Sequence, residues 1–172
     1  PPLALLLSLP LALPLLPRLA HAEAGYDPDQ GAYLRSADGR FQLQPYAMVQ
    51  LQHTATTDGG IRGFQVRAAK WILRATDRET HVVTHAQLNV GDGRAAAEDV
   101  YVRWTPRPWL ALTVGQIEVP YSRQALVLEA YQQLVDRSTV SARFGLQRDQ
   151  GVALRLGERP LELTLGAWNG TR

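Results

Sequence analysis

Residues 41–52 read FQLQPYAMVQLQ, and their alternation decides the fold. Phe41, Leu43, Pro45, Ala47, Val49 and Leu51 fall on one face of an extended chain, and Gln42, Gln44, Tyr46, Met48, Gln50 and Gln52 on the other. A period of two is that of a β-strand. The stretch is longer than the ~5–6 residues of an ordinary soluble strand and close to the ~9–11 of a strand tilted across a bilayer. Pro45 removes one ladder donor, which predicts a bulge or a sheet edge at that point.

Six further strands are expected downstream. Residues 64–75 are the least regular, because Arg67, Lys70 and Arg74 cannot all share a face, and a bulge or strand end is expected near Trp71. Residues 81–90 alternate again and close on Gly91-Asp92-Gly93. Residues 98–105 and 109–119 pair as a hairpin through Pro106-Arg107-Pro108, and 151–156 and 161–168 through Glu158-Arg159-Pro160. The fold class is therefore all-β and antiparallel, with about seven strands that each carry an aliphatic and a polar face. In a soluble sandwich or lipocalin-like barrel the aliphatic faces would form the core; in a transmembrane β-barrel they would face lipid. Trp71, Trp104, Trp109 and Trp168 fall near expected strand ends, where an interfacial girdle places its aromatics.

Residues 120–150 are too long for a structureless connection in a compact domain. Residues 124–135 are rich in helix formers and predict a short helix within this loop. Up to Arg148 the loop carries Arg123, Arg137, Arg143 and Arg148 against Glu129 and Asp136, a basic surplus that could fold back and narrow a pore.

Upstream, residues 3–16 read LALLLSLPLALPLL without a charge and lead to Ala20-His21-Ala22. This is the apolar core and cleavage site of a secretory signal peptide, cut after Ala22. Pro10, Pro14 and Pro17, and a run shorter than the ~20 residues of a spanning helix, argue against a membrane anchor. The expected organisation is 1–22 as a signal peptide lacking its start and 23–172 as the mature part.

Composition narrows the function classes. With no cysteine the chain has neither a disulfide scaffold nor a Cys-ligated zinc or iron–sulfur site, and 45% apolar content is too high for disorder. A formal charge of +2 gives no reason to expect nucleic acid. His81 and His85 lie ~13 Å apart on an extended strand, too far to share a metal ion without other ligands. There is no G-x-S-x-G, no P-loop and no carboxylate pair, so neither catalytic residues nor a cofactor are expected.

The order of several short motifs resembles one family. GQIEVPYSR at 115–123, VDRS at 135–138, SARF at 141–144 and RDQGV at 148–152, with GAYLRSADG at 31–39 and WNG at 168–170, resemble the phosphate-selective porin O and P family. The resemblance implies a sixteen-stranded outer-membrane barrel, usually trimeric, with a lumen lined by Arg and Lys and narrowed by inward-folded loops that select anions. Residues 23–172 would then be the N-terminal part of such a barrel, and the chain a portion of a longer protein. Arg123, Arg137, Arg143 and Arg148 occupy family-type positions; Arg103 and Arg155, on the polar faces of clean strands, join them as candidates for the anion path. The implied function is passive diffusion of small anions, phosphate or polyphosphate foremost, with outer-membrane lipid and a homotrimer as partners. The alternative is a soluble periplasmic sandwich or barrel that binds a ligand.

Overall fold

The alternating stretch forms a single strand in the computed structural model, which describes residues 22–29, 31–55, 63–121, 126–127, 131 and 138–170. In chain order the strands are β1 (Glu23–Asp27), β2 (Gly31–Arg35), β3 (Phe41–Thr54), β4 (Gly63–Asp77), β5 (Val82–Asn89), β6 (Ala96–Arg107), β7 (Leu110–Glu118), β8 (Arg148–Glu158) and β9 (Leu161–Trp168). A short helix, α1 (Thr139–Phe144), precedes β8. All nine strands join one sheet in sequence order, each antiparallel to the next, and β1 and β9 remain unjoined edges. The sheet is a meander of hairpins, as expected where connections alternate between short turns and longer loops.

Register fixes the faces. Gln42, Thr76, Val83, Arg103, Thr113 and Ala153 form one row across six strands. The adjacent row, on the opposite face, is Leu43, Ala75, Thr84, Val102, Val114 and Val152. Burial is inverted relative to a water-soluble sheet. Gln42, Gln44, Lys70, Gln87 and Thr113 are buried, whereas Val49, Leu51, Trp71, Leu73, Trp104, Val114 and Leu163 are exposed. The polar side chains cover one another more completely than the aliphatic ones do, as they would on the inner side of a curved sheet. The small residues Ala68, Ala111 and Ala153 lie buried on the same side. Among the described residues no second sheet covers the aliphatic side, as a sandwich would require.

The structure differs from the sequence reading at several points. There are nine strands rather than about seven, because β1 and β2 hold only 5 residues each and offer too little alternation to register as a pattern. β4 does not end near Trp71 but continues to Asp77; its irregularity lies at Arg67, the extra residue where Gln50 pairs with Ala68 and Leu51 with Val66. Trp71 consequently sits mid-strand. The edge expected at Pro45 is present, since β2 pairs with β3 only at Leu34–Leu43 and Arg35–Gln42 and stops short of the proline. The helix expected over 124–135 lies largely outside the described residues, as does the leader expected over 1–22. The helix that is described is α1, whose start is capped by Ser138 Oγ accepting from the Ser141 amide at 3.1 Å.

Candidate functional site

Arginines gather on the polar face near the short turns. Arg35 of β2 and Arg78, just past β4, both donate to Gln42 Oε1, Arg35 through NH2 at 3.2 Å and Arg78 through NH2 at 2.5 Å. Two guanidiniums therefore share one neutral acceptor on the strand between them. Arg74 stands across from Gln44 and has no hydrogen-bond or ion-pair partner among the described residues. Gln42, Gln44, Tyr46, Arg74, Thr76 and Arg78, with Asp29 from the β1–β2 turn, line a depression of about 340 Å³.

The row continues along β5 to β7. His85 stacks on Tyr101 with centroids 4.9 Å apart and planes 9° from parallel. Arg103 lies over the same tyrosine at 5.1 Å and donates through Nε to Thr113 Oγ1 at 3.0 Å. It has no carboxylate partner among the described residues. Arg155 follows on β8, held by the Pro108 carbonyl at 3.1 Å and 3.5 Å from Glu162. Arg40, in the β2–β3 turn, is different. Asp77 accepts from its Nε and NH2 at 3.0 and 2.9 Å, with Glu79 alongside, and that pairing holds the guanidinium above its ordinary range.

Toward the opposite ends of the strands the polar face is charge-compensated. Lys70 Nζ lies 2.7 Å from Glu98 Oε2, and Asn89 donates to Glu98 Oε1 at 2.9 Å. Arg148 grips Asp99 with Nε and NH2, each at 3.1 Å, and lies 3.6 Å from both Glu98 and Glu118.

The six arginines singled out by sequence are thus dispersed. Arg103 and Arg155 are on the polar face, Arg148 is in an ion-pair network, and Arg143 is exposed in the last turn of α1. Arg123 and Arg137 lie outside the described residues. Arg35, Arg74 and Arg78 were missed. Arg74 was obscured by the Arg67 bulge, which blurs the alternation of β4, whereas Arg35 and Arg78 become neighbours only through pairing of β2, β3 and β4.

Such an arrangement can handle an anion without chemistry. A guanidinium stays charged at any working pH and offers five planar donors, so successive arginines can replace the hydration of a phosphate oxygen by oxygen. No group of three or more possible metal ligands occurs among the described residues. No curated protein and no solved structure matches the chain. The family model described as phosphate-selective porin O and P matches residues 70–172, from the middle of β4 through β9. That is more than half of the chain, and it includes the motifs between Gly115 and Val152; the chain belongs to the phosphate-selective porin O and P family.

Proposed function

We propose that this chain forms part of the wall of a bacterial outer-membrane porin through which small anions diffuse, with phosphate or polyphosphate as the favoured solutes. The observation that carries this reading is the inversion of the sheet: glutamines, a lysine and a threonine are buried on the polar side while Val, Leu and Trp stand exposed on the other. In water such an aliphatic face would be an aggregation surface; against lipid it is the outer band of a barrel. A soluble sandwich would bury that face. β3 and β4, with 14 and 15 residues, are long enough to cross the hydrocarbon at a tilt.

The connections supply an orientation. Residues 36–40, 78–81, 108–109 and 159–160 turn at one end of the sheet, whereas 28–30, 55–62, 90–95 and 119–147 connect strands at the other, which holds both of the longest connections. Outer-membrane barrels keep short turns on the periplasmic side and long loops outside. Arg35, Arg74, Arg78, Arg103 and Arg155 would then form the periplasmic half of the anion path, and each would bind weakly enough for ions to leave. Export through a leader at 1–22 and assembly as a homotrimer belong to the same reading.

The test is single-channel recording of the intact protein in planar bilayers, in chloride, with phosphate titrated in. Steps of chloride current that fall as phosphate rises are the expected result. Current indifferent to phosphate would remove the proposed selectivity. Absence of channels from protein that is folded and soluble without detergent would favour the periplasmic ligand-binding alternative.

A further inference from the structure

We propose that Arg148 is a positioning residue that, through Asp99, locks both feet of the 119–147 connection onto the wall, and that it does not serve as a station for passing anions. This rests on the reading of the polar face as a pore lining.

Two glycines set up the lock. Gly115 and Gly151 are direct partners across β7 and β8. A Cβ on Gly115 would lie 2.3 Å from the Val100 carbonyl oxygen, and one on Gly151 2.2 Å from that of Ala167. At both positions the side-chain direction therefore runs into the backbone of the next strand rather than out of the sheet, and the in-and-out alternation is interrupted. The parity set by Thr113 and Ala153 would place Glu118 and Arg148 on the aliphatic face. Instead Arg148 reaches Glu98, which holds Lys70 on the polar face. The glycine pair swings the last residue of β7 and the first of β8 to the polar side.

An irregularity of β6 receives them. Its register against β5 slips between Ala86 and Leu88, which brings Glu98 and Asp99 together opposite Gln87. The Asp99 carboxylate accepts both bonds from Arg148 and a third from the Glu118 backbone N–H at 3.2 Å. One carboxylate thus ties the start and the end of the connection. Gln116 Nε2 donates to the Ala97 and Glu98 carbonyls at 2.8 and 2.7 Å, and the Val119 N–H donates to the Gln147 carbonyl at 3.3 Å, which closes the base. Among the described residues the Arg148 guanidinium is already met by the carboxylates of Asp99, Glu98 and Glu118, and Lys70 by that of Glu98.

Variants of the intact protein separate a lock from an anion station. Arg148→Met and Asp99→Asn should each raise open-channel current noise and speed chymotrypsin cleavage at Tyr121 and Tyr131 by about tenfold, since each removes charge-assisted bonds in a part-buried site. The phosphate concentration that halves the chloride current should stay within about twofold of wild type. Exchanging the pair, Asp99→Arg with Arg148→Asp, should quiet the current and slow cleavage in part, because the ion pair returns while the bond from the Glu118 N–H does not; a general loss of packing would show no such recovery. Wild-type noise and cleavage in Arg148→Met would overturn the proposal. So would a tenfold rise in half-blocking phosphate in Arg148→Met that Asp99→Asn does not share. If the wild-type protein forms no channel, the pore reading fails on its own, and the cleavage comparison still decides whether the lock exists.

Discussion

Replacing Gly115 with alanine should destabilise the intact protein by about 2–6 kcal/mol, far more than a methyl group usually costs in a strand. The backbone there has φ +136°, a region that residues with a Cβ rarely enter. Holding alanine in it costs about 1–3 kcal/mol. The new Cβ would also lie 2.3 Å from the Val100 carbonyl oxygen and 2.7 Å from Tyr101 Cα. Both are backbone atoms of a paired strand and cannot rotate away, so a further 1–3 kcal/mol, roughly, follows from forced displacement. Two other glycines separate these contributions. Gly39→Ala, with φ +70° and no atom within 4 Å, carries the backbone strain alone and should cost about 1–2 kcal/mol. Gly63→Ala has neither and should fall within about 0.5 kcal/mol of wild type. The assay is urea unfolding of each variant after folding into phosphocholine vesicles. The reasoning is refuted if Gly115→Ala costs no more than Gly39→Ala.

Three other substitutions probe the two faces and the turns. Leu73→Arg puts a charge on the exposed aliphatic face, between the positions of Pro45 and Ala86, and should cost about 2–4 kcal/mol if that position sits at the bilayer midplane; an effect below 0.5 kcal/mol would mean that this face meets water. Asp77→Asn removes the carboxylate that Arg40 holds through two bonds, but both groups are part-exposed, so the unfolding midpoint should fall by the equivalent of only about 1 kcal/mol. Arg74→Gln should leave stability within about 0.5 kcal/mol of wild type, because no partner is lost among the described residues. In single-channel recordings the same variant should raise the half-blocking phosphate concentration about tenfold, the equivalent of one charge-assisted hydrogen bond of ~1.5 kcal/mol.

Much of the sheet was legible in one dimension. The alternation at 41–52 and 81–90 and the proline turns at 106–108 and 158–160 are local properties, and β3, β5, β6, β7 and β9 follow them closely. β1 and β2 were not legible because strands this short are defined by their partners rather than by their own pattern. The candidate site divided in the same way. Arg103 and Arg155 could be placed from the parity of their own strands, and the structure puts them on the polar face. Arg148 could not be placed, since its parity is reversed beyond the glycine pair and its partner Asp99 is 49 residues away.

By itself, then, the amino-acid sequence determined that the chain is built of antiparallel strands with one aliphatic and one polar side, because a period of two needs no knowledge of what the strand meets. Which side is interior was left open, for the same pattern serves a sandwich in water and a barrel in lipid. The tertiary structure decided which side is covered: in a single sheet the glutamines, Lys70 and Thr113 are buried and the aliphatic side is exposed. It alone brought Arg35 and Arg78 to one oxygen of Gln42 and Arg148 to Asp99, because register across strands, set by bulges and by glycines with no room for a side chain, is a property of pairs of segments that no single segment encodes.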